Sequence, residues 1–407
     1  MSSAALANAL AIEGGQRVCA VPFPAWPSFA ADEIEVAAAV LRSGRVNYRT
    51  GEQGRVFEKE FAEFTGCKYG VAVANGTVAL ELALYALGIG AGDEVIMPSR
   101  TFIASASCVV IRGAVPVAAD VEAVSQAVTA GTIRPLLTPR TKAIIAVHLA
   151  GWACDMDAIR ELTHGRGIKL IEDCAQAHGA TYKGRPVGSL GDVGAFSFCQ
   201  DKIMTTGGEG GMLTTNDRDV WERARAFRDH GKNETADSKN GDMGGFRWVH
   251  DSFGTNWRLT EMQSAIGRAQ LRKLADWVEV RRRNAAILTE RLSDCPGLRL
   301  TIPPAEIGHS YYKYYAFVRP ECLKAGESRD RIMAKINREG VPCFGGICSE
   351  IYREKAFPPE WRPAQRWKVA QELGETSLMF LVHPTLTEEH MQQTCDAVEK
   401  VMNAAVR

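Results

Sequence analysis

Lys202 stands in Gly194-Ala195-Phe196-Ser197-Phe198-Cys199-Gln200-Asp201-Lys202, shortly ahead of the glycine run Gly207-Gly208-Glu209-Gly210-Gly211. Well upstream, Ile171-Glu172-Asp173-Cys174-Ala175-Gln176 ends an apolar stretch in acid and amide. An amine able to form a Schiff base, a carboxylate able to face a pyridinium nitrogen and a phosphate-friendly loop together point to pyridoxal phosphate chemistry.

A third segment adds to this set. Asn75-Gly76-Thr77 closes an apolar strand and opens a helix. A helix N-terminus offers free amides and the positive end of its dipole to an anion. Gly76 lets backbone approach closely and the Thr77 hydroxyl adds a donor; an ordinary cap on Asn75 or Thr77 is the plainer alternative. Period-two alternation puts Glu172 and Asp173 on opposite faces of their strand, so one can serve a site while the other is structural. A buried carboxylate beside a pyridine nitrogen would keep that nitrogen protonated, whereas a strand-end acid can also simply cap a loop. Phe196 and Phe198 predict burial around Lys202, unlike a plain surface lysine, and would favour an amine free to attack. Gly207–Gly211 fits either a ligand loop or a tight connection between strands.

Other chemistries fit less well. Gly88-Ile89-Gly90-Ala91-Gly92 follows a helix and precedes a strand, the reverse of a dinucleotide fingerprint, and reads as a turn. The eight histidines form no His-x-x-x-His, and Cys174 with His178 is a lone pair, so no metal is expected. A Cys–His nucleophile lacks an orienting third group. Lysine plus arginine and aspartate plus glutamate each number 48, which offers a nucleic-acid backbone no broad basic surface. Arg281-Arg282-Arg283 is the densest basic run and reads as a solvated helix face. Eleven scattered cysteines without Cys-x-x-Cys fit reduced thiols in a cytoplasm rather than a disulfide framework. The apolar stretch Ala4–Ile12 has no basic residue before it and reads as neither signal peptide nor membrane span.

Positioning falls to alternating strands and helices. Helical periodicity spans Ala31–Leu41 and Val56–Phe64, then Thr77–Leu87, Phe102–Ile111 and Met156–Thr163. Strands are expected at Tyr69–Ala74, Glu94–Met97, Val115–Ala119, Ala143–His148 and Lys169–Glu172, with shorter ones around Phe196 and Met212–Thr214. This order predicts a mostly parallel sheet flanked by helices. One long helix from Leu259 toward Leu292 is expected next, then a strand (Tyr314–Val318), a helix (Arg329–Arg338), a strand (Leu378–Val382) and a last helix (Glu388–Ala404). The division is an irregular arm over 1–30, a large cofactor domain over 31–275 and a smaller C-terminal α/β domain over 276–407. Polar, glycine-rich residues 232–251 read as a mobile loop.

In order and spacing these segments resemble the DegT/DnrJ/EryC/StrS sugar aminotransferases, from about residue 30 to the end. The resemblance is carried by Asn75-Gly76-Thr77-Val78-Ala79-Leu80, Pro98-Ser99-Arg100-Thr101-Phe102, His148-Leu149-Ala150-Gly151 and Glu172-Asp173-Cys174-Ala175-Gln176-Ala177-His178-Gly179. Gly191-Asp192-Val193-Gly194-Ala195-Phe196-Ser197-Phe198, the glycine run and Asn256-Trp257-Arg258-Leu259-Thr260-Glu261-Met262-Gln263 complete it. It implies an α/β fold of the PLP-dependent transferase type (aspartate aminotransferase fold type I). It also implies roles. Lys202 would bind the cofactor as a Schiff base and shuttle the proton. Asp173 would pair with the pyridine nitrogen, Gln176 sit near the cofactor hydroxyl and Phe102 stack on the ring. Gly76, Thr77 and Ser197 would hold the phosphate, joined by Asn256 from a neighbouring subunit of a homodimer.

The resemblance further implies a ping-pong transfer from glutamate, or glutamine, to a keto-sugar, most simply a nucleotide-linked 4-keto-6-deoxy hexose. His230, Lys232, Arg258, Tyr311 and Tyr312 are candidate substrate contacts. Rivals are a keto-cyclitol or long keto-sugar acid as acceptor, and a non-catalytic cofactor-binding regulator; no DNA-binding extension accompanies the chain. Cys199-Gln200-Asp201 departs from the commoner His or Phe with Pro before the lysine, which bears on substrate subclass. Relatives with histidine at the lysine position resemble dehydratases, and Lys202 argues against that branch.

Overall fold

The computed structural model describes residues 9–232 and 249–407, so most of the loop expected at 232–251 lies outside the described residues. Two helices, α1 (Ala31–Ser43) and α2 (Gln53–Thr65), precede the alternation. It then runs β1 (Tyr69–Val73), α3 (Gly76–Ala86), β2 (Glu94–Pro98), α4 (Ala104–Ile111), β3 (Val115–Ala119), β4 (Thr141–Val147), α5 (Met156–Thr163), β5 (Lys169–Asp173), β6 (Val193–Ser197) and β7 (Gly211–Thr215). The seven strands form one sheet in the order β1-β7-β6-β5-β4-β2-β3. Neighbours from β6 to β3 pair in parallel, and only β7 runs against the rest, antiparallel to both β1 and β6.

Both faces are covered, so the strands are near-continuous apolar runs. Alternate residues serve opposite layers. Ile96, Ile144 and Phe196 pack with Phe57 and Phe61 on one face, while Val95, Met97 and Ile145 pack with Leu80, Leu84 and Val109 on the other. Local caps fix the helix starts: Asn75 accepts from Val78 N, Asp155 from Ala158 N and Thr260 from Gln263 N.

After α6 (Arg218–Arg228) come α7 (Glu261–Leu271), α8 (Leu274–Leu292), β8 (Leu298–Leu300), β9 (Tyr314–Val318), α9 (Arg329–Arg338), β10 (Cys343–Phe344), α10 (Lys368–Thr376), β11 (Ser377–Phe380) and α11 (Glu388–Ala405). A second sheet, β8-β9-β11-β10, is antiparallel throughout and has its own core of Leu288, Tyr314, Ala316, Phe380, Val398 and Met402, which Leu10 and Cys19 of the arm join. All eleven cysteines are free thiols. No helix among the described residues is long and apolar enough to cross a membrane.

Four expectations need correction. The single helix from Leu259 to Leu292 is two, broken at Arg272 and Lys273. Both residues keep right-handed helical backbone, so the apolar period carries across the bend and conceals it; Lys273 pins the bend to Asp32 and Glu33 of α1. Arg281 is not on a solvated face: it is 1 % exposed, on the buried stripe of α8. The helix expected from Phe102 begins at Ala104, and the strand expected at Leu378–Val382 is Ser377–Phe380. Helices α6 and α10 were not anticipated.

Candidate active site

The carboxyl ends of β5 and β6 lie side by side, where open α/β sheets hold their ligands. Glu172 and Asp173 point to opposite faces, as alternation requires. Glu172 is wholly buried and accepts from Gly188 N at 2.9 Å and from Leu190 N and Gly191 N at 2.7 Å. Its remaining partner is His148 Nε2 at 2.9 Å. Burial alone would depress the His148 pKa, but the thiols of Cys154 and Cys174 and the Glu172 carboxylate raise it well above the usual value. Potential ligand atoms of His148, Glu172 and Cys174 lie within 4.8 Å of one another, and it is His148, not His178, that meets Cys174. Asp173 has sparser company: Ala175 N donates at 3.1 Å and Ser105 Oγ at 3.3 Å. Burial pushes its pKa up, against the pull of those donors and of the Lys202 charge.

Strands β6 and β7 are antiparallel neighbours, with Ser197 opposite Gly211. Residues 198–210 are therefore the loop that turns the chain back, and Lys202 rides on it. Gly207 and Gly208 have φ of 87° and 131°, left-handed values that side chains resist. The glycine run thus returns the chain into β7. Lys202 Nζ lies 3.6 Å from Asp201 Oδ1 and 5.0 Å from the centre of the Tyr312 ring. The Lys202 carbonyl accepts the indole N–H of Trp26 at 2.7 Å.

Gly76 abuts Ser197: a Cβ on Gly76 would fall 2.5 Å from Ser197 Cβ. Asn75 Oδ1 takes the Val78 amide, and the Gly76 and Thr77 amides have no acceptor among the described residues. Gly211 packs so closely on Asn75 that a Cβ there would meet the Asn75 carbonyl at 2.4 Å. Phe102, at the loop before α4, is 63 % exposed. Gln176 Oε1 accepts from Ala150 N at 2.8 Å, holding Ala150 at a φ of 58°.

The remaining expected residues fall into two groups. Tyr312 is buried beside Lys202 and donates its hydroxyl to Asp201 Oδ2; burial, then the Asp201 charge, raises its pKa far above the ordinary value. Tyr311 stacks on His309 at 3.9 Å. Elsewhere, Arg258 pairs with Asp229, Lys232 Nζ lies 3.9 Å from the same carboxylate and Asn256 bridges Asp229 through backbone. His230 is exposed at a φ of 62°. This second group flanks the α3 N-terminus, since Ala74 N donates to Trp257 O at 2.9 Å.

Sequence reasoning missed Trp26, Ser105, Asp201 and Lys313. Lys313 Nζ lies 4.8 Å from the Tyr312 ring centre, and burial together with Arg281 and Lys202 lowers its pKa to about 8 despite the opposing Asp201 charge. Asp201 carried a signal, because it belongs to the segment that departs from the family pattern. Trp26, in an irregular arm, carried none.

A lysine, a buried strand-end aspartate and an open helix N-terminus on this scaffold define a fold-type-I aminotransferase framework. A profile of the DegT/DnrJ/EryC1/StrS aminotransferase family matches residues 27–399, and the chain belongs to that family, whose members depend on pyridoxal phosphate. It is similar to the X-ray structure of the aminotransferase from Psychrobacter cryohalolentis, at 52% identity and a TM-score of 0.91, over 94% of this chain and 99% of that one. S. venezuelae DesV, solved in complex with a ketimine intermediate, gives 33% identity and a TM-score of 0.82 over 91% and 94%. The UDP-N-acetyl-3-dehydro-alpha-D-glucosamine 3-aminotransferase of Acidithiobacillus ferrooxidans is 38% identical over 87% of this chain and 89% of its own length.

Proposed function

We propose that this aminotransferase uses pyridoxal phosphate to move an amino group from glutamate, or glutamine, to a nucleotide-linked keto-hexose, a 4-keto-6-deoxy sugar, in amino-sugar biosynthesis. The observation that carries the reading is the meeting of Lys202, Asp173 and the Gly76–Ser197 cradle at the carboxyl ends of adjacent strands. The residues fit the cofactor. Two amides without acceptors at a helix N-terminus, beside a serine hydroxyl, suit a phosphate. A buried carboxylate with two donors among the described residues suits a pyridinium.

When bound, the cofactor supplies the electron sink for loss of a proton from the substrate carbon. Lys202 takes that proton from the donor and returns one to the acceptor, as a general base and then a general acid. Asp173 would hold positive charge at the ring nitrogen. Gln176, which accepts from the Ala150 amide, would sit near the cofactor hydroxyl, and Phe102 would stack on the ring. As the family resemblance implies, Asn256 would reach the phosphate of a neighbouring subunit in a homodimer.

The name of the Acidithiobacillus relative favours a second reading of the acceptor, a 3-keto amino-sugar nucleotide. The test is the visible absorbance of the cofactor-loaded protein. Glutamate or glutamine should bleach it, and a panel of 4-keto and 3-keto nucleotide sugars and keto-cyclitols should be scored for restoring it. No bleaching by either donor sinks the reading, and restoration by a cyclitol alone moves the acceptor to another class.

A further inference from the structure

Trp26 belongs to the irregular arm, yet its indole N–H donates to the Lys202 carbonyl at 2.7 Å. On the other side of the same Cα, Lys202 N donates to the Cys199 carbonyl at 3.0 Å. Among the described residues these are the two hydrogen bonds of the Lys202 backbone. Just downstream, Ile203 and Met204 are wholly buried and Thr205 N donates to Gln270 Oε1 at 2.7 Å. The loop therefore has a fixed exit, and the arm sets the turn of the Lys202 peptide itself. Trp26 also lies just outside residues 27–399, the stretch that the family profile matches.

The indole is itself held firmly. It meets Trp277 of α8 edge to face at 5.1 Å and His383 in a stack at 6.1 Å, and the Arg281 guanidinium lies over it at 5.2 Å. The Ala25 carbonyl beside it accepts from Thr385 Oγ1 at 3.1 Å. Earlier in the arm, Ala11 N and Val18 N donate to the Glu339 carboxylate at 2.8 and 3.3 Å, and Cys19 N donates to the Glu339 carbonyl at 2.9 Å. Glu339 is buried at the end of α9 and pairs with Lys400 of α11 at 2.9 Å. The arm is thus built onto the elements around the second sheet, and Trp26 is where that framework reaches the Lys202 loop. A part-buried indole N–H needs an acceptor wherever it lies. What matters here is which acceptor it has. A lysine amine rides on a flexible four-carbon stem, so a small turn of its peptide displaces the amine more than the Cα. Bond formation at that amine depends steeply on alignment.

We propose that Trp26 is a positioning residue for Lys202: its N–H fixes the Lys202 peptide so that the amine is presented to the aldehyde of pyridoxal phosphate. The inference rests on the cofactor reading above and adds the arm to the site. In the step concerned, the unprotonated amine adds to the aldehyde carbon. A C=N bond forms, and water leaves with the aldehyde oxygen and the two amine hydrogens. Pyridoxamine phosphate has the same ring and phosphate but no aldehyde, so it binds without this step. A neutral hydrogen bond is worth about twofold to tenfold in an equilibrium, and that factor should fall on the aldehyde form alone.

The test is equilibrium dialysis of the full-length, cofactor-free chain against pyridoxal phosphate and, separately, pyridoxamine phosphate, with visible absorbance reporting the Schiff base. Trp26→Phe should weaken pyridoxal phosphate about twofold to tenfold and leave pyridoxamine phosphate unchanged. In a Lys202→Ala background the same substitution should change neither, because the bond through which it acts is gone. Pyridoxal phosphate affinity equal to wild type in Trp26→Phe overturns the proposal and leaves the cofactor reading standing. Equal weakening of both forms also overturns it, since that would mark a general loosening of the site. If Trp26→Phe fails to fold, replacement of Trp26 by 3-benzothienylalanine is read in the same way; that side chain keeps the bicyclic ring under Arg281 and lacks the N–H. If pyridoxal phosphate gives the wild-type chain no Schiff-base absorbance, the cofactor reading falls and takes this inference with it.

Discussion

The two faces of β5 treat two neighbouring carboxylates in opposite ways. On one face Glu172 meets three backbone amides and a histidine whose pKa is raised. Every strong acceptor position has a donor, and the group ties β5 to the turn at 188–191. On the other face Asp173 has two donors and a pKa raised by burial. A carboxylate supplied with four donors is complete as structure. One buried with two retains capacity for a positive charge that the protein does not itself provide. The same contrast separates His148, paired on both ring nitrogens, from His178, whose two ring nitrogens have no hydrogen-bond partner among the described residues. At Asp173, on the strand end that holds ligands in this fold, the unused capacity fits a bound cation.

Two substitutions that each remove one charge from β5 should fail differently. Asp173→Asn should lower turnover on the order of a hundredfold to ten-thousandfold, the range for a residue that sets up proton transfer. Its melting temperature should hold, because the site loses a charge that burial disfavours. Glu172→Gln should instead cost about 3–5 kcal/mol of stability, the penalty for breaking a buried pair from one side, with turnover per folded molecule nearly unchanged. Denaturant unfolding and steady-state rates on both variants decide it. If Glu172→Gln lost activity while remaining stable, or Asp173→Asn unfolded without loss of rate, the two faces would have been assigned the wrong way round.

This opposition was half legible in the sequence. Alternation alone places Glu172 and Asp173 apart, and β3, α5, β9 and α9 begin and end where their apolar pattern says. The direction of β7 was not legible, because a two-residue period is the same read either way. That reversal is what turns the Lys202 segment into a loop over the sheet end. Arg281 shows the cost of reading charge before period. It belongs to the stripe Leu274, Val278, Arg281, Ala285, Leu288, Leu292, spaced by fours and threes and buried throughout, and that spacing could have identified it inside the basic run. The closeness of Trp26 to Lys202 depends on the path of an irregular arm, on which periodicity is silent.

A smaller effect should follow from crowding the cradle. In Gly76→Ala the new Cβ would meet Ser197 Cβ at 2.5 Å, well inside contact distance. Overpacking of this kind costs about 1–3 kcal/mol. Because the neighbour is the other arm of the cradle, the loss should appear mainly as weaker retention of pyridoxal phosphate, measured by dialysis and absorbance. Retention equal to wild type would separate Gly76 from the phosphate.

A comparable effect per residue concerns histidines and pH. His148 is buried with an acid. His178, buried between Phe196 and Phe198, His309 and His383 are held to a pKa of about 3, chiefly by burial and then by nearby cations. Their folded pKa lies below the unfolded value near 6.5. Between those limits the unfolded chain binds protons that the folded chain refuses. Their stabilising contribution is therefore complete above pH 6.5 and is lost as pH falls toward 3. His148 has the opposite sign: its raised pKa adds stability below 6.5 that fades as pH rises through the folded value. Each of these three histidines should steepen the loss by about 1.4 kcal/mol per pH unit below 6.5. Urea unfolding at pH 7, 6 and 5 should show stability declining toward acid, and His178→Phe should flatten that decline by about the share of one histidine. A wild-type profile that is flat, or a His178→Phe profile as steep as wild type, would mean that His178 takes up its proton within the folded chain, and the contrast with His148 would disappear.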